Sequence, residues 1–279
     1  MENSRKYSSL AIRFFFIYFM SEWVLNLIFS VLVTYTDNPE SPNIIYTMVY
    51  SALQIVLMFY LFFKFIKDEK ISIEYKFDIS SNDILLSIVI GLSLGILLPI
   101  LGNIGYLFQD TFVFEVTEKG IKRLAEFYEH QSAFEFFILS ILGSFFAIVS
   151  RELFFRGLLF NLFRKEMNVT MATIQLSFFF SLMYLSHQYN EIDLLSLLVT
   201  SVILCFVTFI KKSVLPAIII SICIDIPILL LLRYDQFFES PESYLTYNSE
   251  HILIYGVAII ALVVGFKQFS IDRNETYVG

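Results

Sequence analysis

Long apolar runs parted by short polar connections dominate this sequence and leave few folds open to it. Eight can be drawn, at about residues 10–34, 44–66, 84–108, 134–163, 171–188, 192–210, 213–232 and 251–267. Most come near the ~20 residues a helix needs to cross hydrocarbon. A chain inside lipid must satisfy its own backbone hydrogen bonds, and runs of this length do so as helices. Only 16% of residues are charged, and the mean hydropathy is +0.71. Soluble domains carry roughly 25% charged residues, so too little polar surface exists here for water. The expectation is an all-α, polytopic bundle of about eight transmembrane helices, forming one integral membrane domain over residues 1–279. A seven-span version would fuse 192–210 with 213–232, but Lys211 and Lys212 mark a loop between them. The run 134–163 exceeds a straight crossing, so part of it should be tilted or interfacial.

Charge in the connections sets the orientation. Twelve Lys and Arg residues fall on one side, among them Arg164, Lys165, Lys211 and Lys212, and only Lys119, Lys122, Arg123 and Arg233 on the other. The alternation predicts cytoplasmic N- and C-termini in a multi-pass protein. The first run is longer than a signal-peptide core and lacks a small-residue cleavage site, so it reads as an uncleaved span. Arg13 should snorkel to the interface, and Glu22 should face a bundle contact.

The formal net charge of −7 gathers in the outer loops, where it keeps that face solvated. No basic patch points to nucleic acid. Cys205 and Cys223 lie in different spans and define no disulfide framework. Between Gln109 and Ser132, the spacing of Val116, Ile121, Leu124, Ala125 and Tyr128 predicts a short amphipathic helix on the membrane. Tyr234 to Glu250 reads as an irregular loop. Gly91 and Gly95 form a G-x-x-x-G on the third span, read as internal packing rather than dimerisation.

Charges at membrane depth cost at least ~2.5 kcal/mol on insertion scales and are usually functional. Three of them, Arg151, Glu152 and Arg156, interrupt the fourth run. Glu152 and Arg156 stand four residues apart, share a helix face and can pair. Arg151 projects about 100° away and needs another partner or the cytoplasmic interface. His187 closes the fifth run, where a satisfied polar contact is the plain alternative to a catalytic role. On the seventh run, Ser221 and Asp225 share a face, with Arg151, Arg156 or His187 as partners for the aspartate. No H-E-x-x-H, Cys/His cluster or Gly-rich phosphate loop is present, so neither a metal nor a cofactor is expected.

At these residues the chain resembles the CAAX protease and bacteriocin-processing (CPBP, or Abi) family of intramembrane proteases. The family's E-E-x-x-x-R-G motif reads here Arg151-Glu152-x-x-x-Arg156-Gly157. Its F-x-x-x-H reads Met183-x-x-x-His187. Its proline-led H-x-x-x-N/D reads Leu215-Pro216-Ala217-Ile218 followed by Ser221-x-x-x-Asp225. Order, spacing and span placement agree over roughly residues 132–230, a motif-bearing core.

The resemblance implies a water activated by the first glutamate and the second-motif histidine. It implies an oxyanion held by the third-motif histidine with its Asn/Asp partner, and a brace formed by the second glutamate and the arginine. Arg151 stands at the base position and cannot accept a proton, and Ser221 replaces the oxyanion histidine. A general base is worth roughly 10²–10⁴ in rate and an oxyanion donor roughly 10²–10³. The expectation is therefore a catalytically degenerate member with no intact catalytic set. It would act in a bacterial plasma membrane as a scaffold or regulator of another membrane or envelope protein, with self-association also open. The alternative is an active endopeptidase using Glu152, His187 and Asp225 on a peptide or bacteriocin/immunity substrate. A transporter with these residues along an ion path is a third reading, without inverted repeats to support it.

Overall fold

Side-chain chemistry fixes several of the helix ends. The computed structural model describes residues 6–34, 44–68, 79–106, 144–185, 191–233 and 249–275. Among these, the first three helices are α1 (Lys6–Thr34), α2 (Ile44–Asp68) and α3 (Ser81–Tyr106). The fourth, α4, runs without a break through Ser144–Glu152, a π-helical stretch Leu153–Leu159, and Phe160–Arg164. There follow α5 (Val169–Leu185), α6 (Glu191–Lys211), α7 (Leu215–Arg233) and α8 (Ser249–Glu275). Among the described residues the fold is all-α, as the apolar runs predict. The predicted amphipathic segment within 109–132 lies outside the described residues, as does most of the loop 234–250.

At the basic end of the bundle, the turns are pinned by charge. Ser80 and Asp83 cap α3 reciprocally: the Asp83 N–H donates to Ser80 Oγ at 3.1 Å, and the Ser80 N–H donates to Asp83 Oδ2 at 3.4 Å. Lys211 then pairs with Asp83 at 2.6 Å and lies over the Phe269 ring, tying α3, α6 and α8. Lys211 is thus the last residue of α6 rather than part of a loop. The reversal is made by Lys212 at φ 49°, with Ser213 Oγ accepting from the Leu215 N–H at 3.3 Å.

The start of α1 is capped from a distance. Glu166, in the turn after α4, accepts from the Tyr7 and Ser8 N–H groups and from the Ser8 hydroxyl. Those amides are orphan donors of the first turn, and a carboxylate there also meets the positive end of the helix dipole. Burial pushes the Glu166 carboxyl up, but the three hydrogen bonds outweigh it and hold the group below its ordinary value near 4.5. A depressed value in the folded protein means the cap stabilises above about pH 4.5 and is lost as pH falls through the folded value. Glu166→Gln should cost ~1 kcal/mol at neutral pH, as loss of a helix cap does. The variant's Tm should also fall less than the wild type's between pH 6 and about pH 4 in detergent. Parallel Tm curves would show that Glu166 contributes nothing.

The helices form two apolar clusters. One joins α1, α2, α4 and α5 and is rich in phenylalanine: Phe14 stacks on Phe65 at 3.8 Å, and Phe15 meets Phe155 and Phe179. The other joins α3, α6, α7 and α8 through Ile90, Leu204, Ile220 and Phe269. Large apolar side chains also cover the outside, among them Trp23, Leu27, Val56 and Ile260, each more than half exposed. Charges inside and hydrocarbon outside suit a lipid solvent, where helices associate by close packing rather than hydrophobic burial. Segments Lys6–Leu25 and Ser81–Leu98 are long and apolar enough to cross a membrane, and four other helices carry shorter apolar stretches.

Gly91 shows how close the packing is. A Cβ built there would sit 2.5 Å from Cys223 Cβ and 2.7 Å from the Ile220 carbonyl oxygen. The expected internal role of this glycine is what the structure displays, since α3 and α7 touch backbone to backbone at that point. Glu22 likewise faces a bundle contact, buried on α1 and accepting from the Gln54 amide of α2. Arg13 is exposed.

Candidate functional site

Where the two apolar clusters meet, the intramembrane charges come together. Glu152 and Arg156 are fully buried, and Arg156 Nη1 lies 3.0 Å from Glu152 Oε2. The sequence reading placed them on a regular α-helix, but α4 turns π-helical immediately after Glu152. There the Phe160 N–H donates back to the Phe155 carbonyl, five residues earlier. Such π segments appear mostly as single turns and often at functional sites. The wider turn still leaves the two charges on one face.

Other helices supply further contacts to the pair. Ser221 on α7 donates to Glu152 Oε1 at 3.1 Å. Ser201 on α6 accepts from Arg156 Nη2 at 3.0 Å, and the Cys205 thiol, one turn further along α6, lies within hydrogen-bonding reach of the same guanidinium. Phe180 on α5 presents its ring face 4.4 Å from the Arg156 guanidinium carbon. Arg156 is therefore held by α4, α5 and α6 at once.

Arg151 neither snorkels away nor needs a distant partner. Its Nε lies 3.3 Å from Glu152 Oε1, and its guanidinium covers the other part of the Phe180 ring at 5.6 Å. About a fifth of its side chain is exposed, against none for Glu152. Asp225, one turn beyond Ser221, lies within the electrostatic reach of both Arg151 and Glu152. Of the six positions singled out in the sequence, four are in contact, Arg151, Glu152, Arg156 and Ser221, and Asp225 follows Ser221 by one turn of α7. His187 lies outside the described residues.

The sequence reading missed Ser201, Cys205 and Phe180. Thr200-Ser201 is a polar interruption in a span, which is a weak signal, because most such hydroxyls bond their own backbone. Nothing in the sequence marks Phe180 among the chain's 32 phenylalanines. Among the described residues no three His, Cys, Asp or Glu side chains gather as metal ligands would.

Comparison with known families meets this geometry from another direction. A family model described as type II CAAX prenyl endopeptidase Rce1-like matches residues 133–226. Over this core the chain is similar to the Rce1-like, CAAX-protease family. The matched stretch takes in α4, α5 and α6, reaches into α7, and includes every residue of the polar cluster. No curated protein matches the chain, and neither does any solved structure. An all-helical membrane protein of CAAX-protease type is the coarse description that follows.

Proposed function

We propose that this Rce1-like protein is a degenerate member that works as a scaffold or regulator for another membrane or cell-envelope protein. The place proposed for it is a bacterial plasma membrane, with both termini in the cytoplasm. The position of Arg151 carries this reading. A permanently charged guanidinium lies against Glu152 at the position where the family motif has its first glutamate. Arg151 and Arg156 both pair with Glu152, so the carboxylate is held between two guanidiniums. Both oxygens of Glu152 are occupied, by Arg156 on one side and by Arg151 and Ser221 on the other. A carboxylate so engaged is poorly placed to take a proton from water.

The polar network would then fix how α4, α6 and α7 meet, and with them the surface a partner reads. That role for buried polar groups is attested in some systems. The test pairs two measurements on full-length protein. Purified protein should cleave no prenylated or transmembrane peptide, and Glu152→Gln and His187→Ala should leave that result unchanged. Pull-down from detergent should recover a membrane partner with wild type and lose it with Glu152→Ala. Peptide cleavage that Glu152→Gln abolishes would overturn the proposal in favour of an active endopeptidase. A fully folded Glu152→Ala protein that keeps every partner would remove the network from the interaction.

A further inference from the structure

Hydroxyls inside these helices have a usual habit. Ser21, Ser87, Ser93, Ser150, Thr200 and Thr208 all donate to a backbone carbonyl one turn back in their own helix. That arrangement satisfies a hydroxyl locally and asks nothing of its surroundings. Ser177 and Ser181 on α5 break the habit. Both are buried, at 1% and 7% exposure, and among the described residues their Oγ atoms have no hydrogen-bond partner.

A second, independent group, on α4, is left in the same condition. Arg156 is wholly buried, and among the described residues its Nε and Nη1 have no hydrogen-bond acceptor, although Nη1 is ion-paired with Glu152 and Nη2 donates to Ser201. The Arg156 guanidinium sits between the Phe180 ring of α5 and Ser201 of α6, so it lies at the seam of these two helices. Ser177 and Ser181 flank Phe180 in sequence. Across the seam, Ser177 is eight residues before the end of α5 and Ser201 ten residues after the start of α6. At 1.5 Å per residue these depths differ by only ~3 Å.

We infer that the α5–α6 seam holds an internal water site, in which water accepts from Arg156 Nε and bonds the hydroxyls of Ser177 and Ser181. The chemistry selects the ligand. A guanidinium only donates, whereas hydroxyls donate and accept, so the occupant must do both. A cation is repelled by Arg156, and an anion has no charge to neutralise because Glu152 already balances that residue. Water is the small neutral molecule that remains, and buried waters typically make about three such bonds. Arg156 is then braced on α5 by hydrogen bonding as well as by its ring contact, whether or not the site is catalytic.

Radiolytic hydroxyl-radical labelling of wild-type protein in detergent tests this directly, because radicals formed from a bound water oxidise the side chains beside it. Phe180 should be labelled several-fold more than Phe154 and Phe160, which are equally buried in the apolar cluster. Thermal unfolding supplies the second readout. Ser177→Ala and Ser181→Ala should each lower Tm by about 2–4 °C, because each removes a bond to water. In a dry seam the same changes delete an unpaired polar atom and raise Tm. Phe180 labelling no greater than that of Phe154, or a higher Tm in both alanine variants, overturns the inference.

Discussion

Glu152→Ala should destabilise the protein by about 3–5 kcal/mol, the penalty for stranding a buried charge by removing its partner. Arg156 is fully buried, and its neighbours Ser201, Cys205 and Phe180 carry no negative charge. Arg151 and Ser221 lose their shared acceptor in the same step. The double change Glu152→Leu/Arg156→Leu should recover at least half of the loss, since a buried pair exchanged for packed apolar side chains is often neutral or better. Steric trapping or thermal unfolding in detergent measures both. A single variant as stable as wild type would show that the pair is not fully desolvated.

The second large effect concerns a glycine outside the three family motifs. Gly91→Ala places a methyl carbon 2.5 Å from Cys223 Cβ and 2.7 Å from a backbone oxygen, and the backbone has no rotamer with which to yield. Overpacking of this kind costs roughly 1–3 kcal/mol. Relief requires α7 to move, and Ile220 and Cys223 flank Ser221, whose hydroxyl bonds Glu152. The variant should therefore lose the Ser221 contact as well as stability. Gly157, the glycine of the E-E-x-x-x-R-G motif, is the control. A Cβ there meets Phe62 at 3.7 Å and Val214 at 3.8 Å, ordinary contacts, so Gly157→Ala should unfold near the wild-type temperature. Equal effects at the two positions would mean that α3 and α7 are not in backbone contact.

These two glycines show how far sequence reading reaches. The motif spacing brought attention to Gly157, where there is room for a side chain. Gly91 was notable only as half of a common pattern, and its importance comes from what happens to lie opposite it. The charged residues behave similarly. The four-residue interval between Glu152 and Arg156 was enough to anticipate their pairing, because that interval is local to one helix. The π-helical stretch after Glu152 was not legible, since Leu-Phe-Phe-Arg-Gly-Leu-Leu is equally at home in an α-helix.

Local chemistry was enough to specify the all-helical architecture, because a chain so poor in charge and so regular in its apolar runs has no other way to satisfy its backbone in lipid. It also specified which residues were costly enough to require explanation. It left open where Arg151 would point, since a long side chain on the edge of a helix has several partners within reach. Packing settled that question. The approach of α5 to α4 set the guanidinium against Glu152 and the Phe180 ring, a pairing no single helix contains. Periodicity assigns a residue its depth and face. Only the way helices cross assigns it a neighbour, and for a buried charge the neighbour is what determines its chemistry.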